Sequence, residues 1–161
     1  MKLIPLSKGL FTEVDDKDFE FLNQWKWYAM KSGNTFYAAR TNKEREKILM
    51  HRLILDIPKG KVTPDHIDRN GLNNKRNNLR IATRSQNNIN KIKKEKCSSI
   101  FKGVCITNDR KKWQAHIQKD YKQIYLGCFE TQIEAALAYN NAAKKLHGNF
   151  ANLNLLSLPN D

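Results

Sequence analysis

The segment VTPDHIDRNGLNNKRNNLRIATRSQNN, residues 62–88, concentrates side chains that can do chemistry on an anion. It holds one His, two Asp and seven Asn, together with five Lys or Arg residues. An imidazole can take a proton from water near neutral pH, because its unperturbed pKa is about 6.5. Carboxylate and amide oxygens are hard ligands for Mg²⁺ or Mn²⁺. Hydrolysis of a phosphodiester needs these groups, and basic side chains to attract the phosphate.

The same composition also suits a polar surface loop. Asn and Asp are common in turns, because their side chains bond the neighbouring backbone. Asp65 and His66 are adjacent, so on a strand their side chains point to opposite faces unless the strand bends. Pro64 favours such a bend. Residue types and spacing alone therefore leave both interpretations open.

The flanking sequence predicts two strands and a helix around these residues. KVTPDHI has strand character, Asn70-Gly71 is a turn signal, and NLRIAT is a second strand. Ser85 is the predicted N-cap of a helix that begins QNNINK. This order, β-β-α, can bring an Asp-His pair on the first strand against an Asn on the helix.

Residues 1–50 predict a small β-rich unit. DDKDFEFLNQ predicts a short helix with Phe19 and Leu22 facing inward, and WKWYAM and TFYAAR predict a hairpin around a glycine turn. Trp25 and Trp27 are expected to share one face of the first hairpin strand, in the core. ILMHRLIL, a strand or a short helix, then leads into the central segment.

The C-terminal third predicts an antiparallel sheet and a helix. After the basic connector KIKKEKCSS (91–99), three short alternating strands follow in FKGVCIT, KWQAHIQ and KQIYLGCF. TQIEAALAYNNAAKKLHG predicts a helix with a Thr131–Glu134 capping box, Gly148 at its end and an alanine-rich face. The predicted class is α+β, divided at 1–50, 51–95 and 96–161, with a three-stranded sheet packed on one helix in the last part.

The charge indicates a polyanionic partner. The formal net charge is +13, and residues 51–95 carry eleven Lys or Arg against four Asp or Glu. Nucleic acid and an acidic membrane surface both fit this charge. No apolar run approaches the roughly 18 residues of a membrane span, and MKLIPLSKGLF lacks the apolar stretch of a secretory signal, so we expect a cytoplasmic protein without a membrane partner.

The cysteines predict neither a disulfide framework nor a structural zinc site. They are odd in number and show no C-x-x-C spacing, at Cys97, Cys105 and Cys128. We expect structural thiols.

The stretch DHIDRNGLNNKRNNLRIATRSQNN resembles the HNH nuclease family, in particular the homing endonucleases of phages and bacteria, over about forty residues from His51 to Lys91. The resemblance implies a ββα-metal nuclease motif and one Mg²⁺ or Mn²⁺ per site. It implies that His66 is the general base, that Asp65 and Asn87 bind the metal, and that Asn78 holds the loop. Asn stands where some family members have the final His, and an amide oxygen suits Mg²⁺.

Several further residues of this segment have more than one interpretation. Asn88 is an alternative ligand to Asn87, because both lie in the first turn of the predicted helix. His51 is either structural or, as the His of an HR pair that the family often has there, a contact to the scissile phosphate. Other asparagines are expected to form the loop, at Asn73, Asn74 and Asn77. Each arginine of this segment either binds phosphate or belongs to a solvated basic face. These arginines are Arg52, Arg69, Arg76, Arg80 and Arg84.

Residues 98–154 resemble the DNA-binding domain of plant ethylene-response factors, through KGV, W-x-A-x-I, YLG-x-F, T-x-x-E-A-A-x-A-Y and A-x-L-N in order. The resemblance implies a sheet that reads the major groove of double-stranded DNA. The positions that match the reading residues are Lys102, Thr107, His116, Gln118, Gln123 and Tyr125. Several of these are Arg or Trp in the plant proteins, so the base preference must differ. Core positions are expected at Trp113, Phe129 and Tyr139.

The sequence thus predicts a monomeric, metal-dependent DNA endonuclease in which the central part cuts and the C-terminal part positions. The alternative is a catalytically inactive DNA-binding regulator. The joint presence of Asp65, His66 and Asn87 argues against that alternative. An RNA-directed protein fits the charge, but a rigid sheet that enters a major groove favours duplex DNA.

Overall fold

The computed structural model describes residues 1–58, 60, 62–91 and 98–156. The chain forms two compact units, Met1–Asn87 and Asn88–Asp161, both built from helices and small antiparallel sheets. The predicted α+β class is confirmed. Most of the predicted connector at 91–99, including Cys97, lies outside the described residues. None of the helices in the described ranges has the length and apolar character needed to cross a membrane.

The first part of unit one holds two small sheets and two short helices. The strands β1 and β2 pair with each other, and β3, β4 and β5 form a three-stranded sheet. In chain order the elements are β1 (Lys2–Pro5), β2 (Phe11–Val14), α1 (Asp16–Leu22), β3 (Tyr28–Ser32), β4 (Thr35–Thr41), β5 (Lys47–Leu49) and α2 (Met50–Ile54). The segment ILMHRLIL therefore holds both a strand end and a short helix.

The two tryptophans before the hairpin are placed differently from the prediction. Trp25 and Trp27 precede β3, so the expectation that they share a strand face was wrong. The Trp27 ring is buried, and its Nε1 donates to the Leu22 carbonyl oxygen at 2.8 Å. The last carbonyls of a helix lack partners within the helix, so this indole completes the end of α1. The Arg40 guanidinium lies 4.2 Å from the Trp25 ring centroid.

A β-β-α arrangement follows, and its two strands and the first four residues of its helix belong to unit one. β6 (Val62–His66) pairs antiparallel with β7 (Leu79–Thr83), and α3 (Arg84–Asn90) follows directly. The Thr83 N–H donates to Gln86 Oε1 at 2.8 Å, and the Gln86 N–H donates to Thr83 Oγ1 at 3.3 Å. This reciprocal capping box starts the helix at Arg84. The predicted N-cap at Ser85 was therefore wrong.

One hydrophobic core joins these elements. It includes Ile4, Val14, Leu22 and Met50 from the N-terminal elements, all at most 1 % exposed. Leu79 of β7 belongs to the same cluster. The hairpin that carries the chemistry-bearing residues is thus built on the core of the first fifty residues.

Unit two is a three-stranded sheet packed on one long helix, as predicted. The sheet has the antiparallel order β10-β9-β8, with β8 (Val104–Ile106), β9 (Trp113–Lys119), β10 (Lys122–Phe129) and the helix α4 (Gln132–His147). The Thr131–Glu134 capping box forms. The buried face of α4 contains Ala135, Ala136, Tyr139 and Ala143, which let the helix lie close to the sheet. Trp113 and Phe129 are partly buried against this core.

Candidate active site

The loop between β6 and β7 is held by the buried side chain of Asn78. Its Oδ1 accepts from the Asp68 N–H at 3.0 Å, and its Nδ2 donates to Asp68 Oδ1 at 2.9 Å and to the Asn73 carbonyl oxygen at 2.8 Å. Burial would raise the pKa of Asp68, but hydrogen bonds from Asn70, Asn73 and Asn78 hold that pKa below its usual value. The loop is thereby fixed beside the end of β6.

Strand β4 closes over the same loop. The Gly71 N–H donates to Thr35 Oγ1 at 3.1 Å. A Cβ at Gly71 would lie 2.8 Å from ring carbons of Tyr37 and still closer to the Phe36 carbonyl oxygen, so only glycine fits. The Asn70-Gly71 turn is therefore also the point where the N-terminal hairpin contacts the loop.

His66 ends β6 and is 5 % exposed. Its ring centroid lies 5.1 Å from that of His51 and 5.7 Å from that of Tyr37. Burial lowers the pKa of His66, while the hydrogen bond to Asn74 and the charges of Asp68 and Asp65 oppose this shift. The ring is therefore neutral at pH 7 and chemically able to accept a proton.

His51, in α2, packs edge-on against both His66 and Tyr37, with ring centroids 5.1 and 5.4 Å away. Among the described residues its buried Nδ1 has no hydrogen-bond partner. Burial, followed by the charges of His66 and Arg52, lowers the pKa of His51 to about 3. His51 is uncharged at neutral pH, so any contact with a phosphate would be a hydrogen bond and not an ion pair.

Asp65 is a buried carboxylate paired across the hairpin with Arg80. Its Oδ2 accepts from Arg80 Nε at 2.8 Å and lies 2.7 Å from Arg80 Nη2. The side chains are 5 % and 16 % exposed, respectively. Burial raises the pKa of Tyr37, and the negative charge of Asp65 raises it further.

Asn87 lies over the face of β6 that carries Asp65. Its Nδ2 donates to Thr63 Oγ1 at 3.3 Å, and Thr63 and Asp65, two residues apart, point to the same face of the strand. The alternative residue Asn88 is exposed, and its Oδ1 accepts from Lys91 Nζ at 2.7 Å. Of the two asparagines, Asn87 is thus the one that contacts the face of β6 on which Asp65 lies.

The donor set of this face fits a hard divalent cation. Asp65 and Asn87 offer carboxylate and amide oxygens, and Mg²⁺ is commonly held by one or two carboxylates together with waters and substrate phosphates. A carboxylate has two oxygens, so the ion pair of Asp65 with Arg80 is compatible with metal ligation. In the described ranges, no three or more His, Cys, Asp or Glu residues group as a metal site.

The five arginines predicted to face phosphate have different surroundings. Arg76 forms a bidentate pair with Asp18, with Nε–Oδ2 and Nη2–Oδ1 distances of 2.8 Å. Arg52 Nη1 donates to the Pro58 carbonyl oxygen at 3.1 Å. Arg76 and Arg80 therefore neutralise carboxylates of the protein itself. Arg69, in the loop, and Arg84, at the start of α3, are exposed.

The sheet of unit two presents four of its six predicted DNA-reading residues on one face. Ala115 and Ile117 of β9 are buried in the cores that include α4, so the alternating residues His116 and Gln118 point away from the helix. His116 pairs with Tyr125 and Gln118 with Gln123 across β9 and β10. Gln114 shares this face, with Oε1 3.3 Å from His116 Nε2. Sequence reasoning missed it, although the strand alternation could have found it.

The other two predicted residues lie outside the strands. Lys102 precedes β8, and its Nζ donates to the carbonyl oxygens of Ile89 and Lys91, the latter at 2.8 Å. Thr107 follows β8, and its hydroxyl donates to Asp109 in the turn to β9. Both side chains thus have structural contacts within unit two.

These features define a nuclease class: a β-β-α unit with an Asp-His pair at the end of its first strand. Residues 49–89 match the family model described as HNH endonuclease. An HNH endonuclease of Acanthamoeba polyphaga mimivirus is 34% identical over 154 residues, which cover 92% of this chain and 77% of that protein. The chain belongs to the HNH endonuclease family.

The C-terminal part is similar to plant transcription factors. Dehydration-responsive element-binding protein 2D of Arabidopsis thaliana is 37% identical over 87 residues, 53% of this chain and 42% of that protein. An AP2-like ethylene-responsive transcription factor of the same plant is 41% identical over 59 residues, 37% of this chain and 12% of that protein. The predicted resemblance to ethylene-response factors is confirmed. No solved structure matches the chain.

Proposed function

We propose that this chain is a divalent-metal-dependent endonuclease of the homing type that hydrolyses phosphodiester bonds in double-stranded DNA. One arrangement carries the proposal: Asp65 and His66 end the same strand, with the Asn87 amide over the Asp65 face and His66 in its neutral form. Membership of the HNH endonuclease family and a formal charge of +13 support it.

Each residue of the site receives one role. His66 takes the proton of the attacking water as general base. Asp65 and Asn87 would hold one Mg²⁺ or Mn²⁺. The ion would neutralise the negative charge that builds on the phosphate and on the leaving oxygen. Asn78 keeps the loop, and through it the end of β6, in place. His51 remains a candidate contact to the scissile phosphate, as a neutral group.

The three predicted parts of the chain fit a division of labour. We assign cleavage to residues 51–95, DNA binding to 96–161 and support of the nuclease to 1–50. The shared core around Leu79 and the ion pair of Asp18 with Arg76 support the third assignment. Tethering two modest DNA-binding modules raises their joint affinity without new contacts.

Cleavage of supercoiled plasmid tests the catalytic assignment. The purified protein should nick or linearise plasmid in Mg²⁺ or Mn²⁺ and be inactive with a chelator. His66→Ala should lower the rate by about 10²- to 10⁴-fold, because a positioned base is lost. His147→Ala, a histidine at the end of α4, is the matched control and should cleave like the parent.

Two outcomes of the same assay would reject parts of the proposal. Plasmid binding without nicking by the parent would identify a DNA-binding regulator with an inactive nuclease site. Run-off mapping of the product ends addresses the homing type, for which a few defined sites in a long duplex are expected. Nicks scattered over the whole plasmid would reduce the assignment to a nonspecific nuclease.

Salt titrations separate phosphate contacts from base contacts. The logarithm of the binding constant should fall with the logarithm of salt concentration by about 0.9 per neutralised phosphate. Arg84→Ala should reduce that slope by about 0.9, because it removes one exposed guanidinium. Gln118→Ala should leave the slope unchanged and weaken the preference between DNA sequences. Fluorescence anisotropy at several salt concentrations measures both, and a flat salt profile of the parent would exclude the phosphate contacts.

A further inference from the structure

Asn74 is fully buried between the general base and a strand of the N-terminal region. Its Oδ1 lies 3.1 Å from His66 Nε2, and its Nδ2 donates to Thr12 Oγ1 at 2.7 Å. Thr12, on β2, is also fully buried and in turn donates its hydroxyl to the Leu72 carbonyl oxygen at 2.7 Å. A continuous chain of hydrogen bonds therefore links β2 to the imidazole of His66.

The hydrogen bond from Thr12 to Leu72 sets the direction of the other bonds in this chain. A hydroxyl has a single hydrogen, and that of Thr12 is donated to the Leu72 carbonyl oxygen. The Thr12 oxygen can then only accept from Asn74, so the amide must turn its NH₂ group to Thr12 and its oxygen to His66. An amide oxygen only accepts, so Nε2 of His66 carries the proton. In the neutral ring the lone pair is then on Nδ1.

The backbone holds Asn74 against β2. Its N–H donates to the Glu13 carbonyl oxygen at 2.8 Å, and the Glu13 N–H donates to the Leu72 carbonyl oxygen at 2.9 Å. Glu13 and Asn73 also form a parallel bridge. Reversal of the buried Asn74 amide would require the Thr12 hydroxyl to turn from the Leu72 carbonyl oxygen to the amide oxygen, and the hydrogen bond between Thr12 and Leu72 would be broken.

We propose that Thr12, acting through Asn74, is a positioning residue for the general base. It holds His66 in the tautomer with hydrogen on Nε2, so that Nδ1 is the atom that takes the proton from water. The inference rests on the proposed function, because it specifies how the base of that reaction is oriented. Thr12 lies outside residues 49–89, so the segment that matches the family model does not contain the hydroxyl that orients Asn74.

The matched variants are Thr12→Val and Thr12→Ser. Valine has nearly the shape of threonine without the hydroxyl, so the Asn74 amide loses the acceptor that sets its direction. Thr12→Val should lower the single-turnover cleavage rate by about 10- to 100-fold with unchanged DNA affinity. Thr12→Ser keeps the hydroxyl and should restore the parent rate. Equal rates for Thr12→Val and the parent would overturn the proposal.

A spectroscopic readout is independent of cleavage. Long-range nitrogen–proton correlation spectra of ¹⁵N-histidine-labelled protein distinguish the two imidazole tautomers, and the His66→Ala spectrum assigns the His66 signals. At a pH above the usual imidazole pKa of about 6.5, the parent and Thr12→Ser should show hydrogen on Nε2. Thr12→Val should show a mixture of tautomers or hydrogen on Nδ1.

These readouts separate the two proposals. If the parent shows hydrogen on Nδ1 but cleaves DNA, the positioning role fails and the nuclease assignment stands. If the parent shows hydrogen on Nε2 and Thr12→Val changes it, but no variant cleaves, the nuclease assignment fails and the positioning role of Thr12 on the imidazole stands. If Thr12→Val does not fold, the spectrum of the parent still decides, because hydrogen on Nδ1 would overturn the inference.

Discussion

Replacing Gly103 by Ala should unfold the sheet-and-helix unit and leave the first unit folded. Gly103 has φ 74°, and an added Cβ would lie 2.5 Å from the His116 carbonyl oxygen and closer still to the buried ring of Tyr139. The His116 N–H donates to the Gly103 carbonyl oxygen at 2.7 Å, so the two backbones cannot separate freely. The left-handed backbone costs about 1–2 kcal/mol and overpacking about 1–3 kcal/mol or more, a large loss for a small unit.

The matched control for this prediction is Gly148→Ala. Gly148 also has a positive φ, 51°, but its Cβ would meet nothing within 4 Å, so only the backbone cost remains. In thermal unfolding, the transition of unit two should be lost or shifted to low temperature in Gly103→Ala alone. Its DNA affinity should fall by about 10²- to 10⁴-fold, the gain that a tethered second module gives. Equal DNA affinity in the two variants would show that unit two does not hold the DNA.

Local patterns predicted most of the elements. The alternation in KWQAHIQ and KQIYLGCF is sufficient to assign β9 and β10, because successive strand residues face opposite sides. The capping box at Thr131 and Glu134 marks the start of α4. Trp27 was misplaced because its position depends on a hydrogen bond to the end of α1, and that bond overrides the strand propensity of WKWYAM.

The surroundings of the site depend on contacts that no local pattern encodes. Thr12 and Asn74 are 62 positions apart, and neither residue type nor spacing indicates that they meet. Likewise, net charge cannot distinguish Arg80, which neutralises Asp65, from Arg84, which is exposed. That distinction requires the register of β6 against β7, which pairs Asp65 with Arg80. The residue types of the candidate site could therefore be predicted from the sequence, but the groups that contact them could not.

Replacing Asp65 by Ala should have two large effects, one on stability and one on metal binding. The Arg80 side chain is 16 % exposed, and without the Asp65 carboxylate it would keep a largely buried positive charge. Removing one partner of a buried ion pair costs about 3–5 kcal/mol. The variant also loses one of the two oxygen ligands proposed for the cation. Thermal unfolding should show the loss of stability. Mn²⁺ titration should show no binding above background, and the plasmid assay should show no cleavage above background.

The double variant Asp65→Ala/Arg80→Leu separates these effects. Replacing a buried ion pair by apolar side chains is often neutral for stability, so the double variant should recover most of the unfolding free energy that the single variant loses. It should nevertheless bind no Mn²⁺ and cut no plasmid, because the carboxylate is still missing. Recovered cleavage in the double variant would mean that Asp65 serves only to neutralise Arg80. In that case the cation would have to be held by other side chains, and the assignment of Asp65 and Asn87 as ligands would be abandoned.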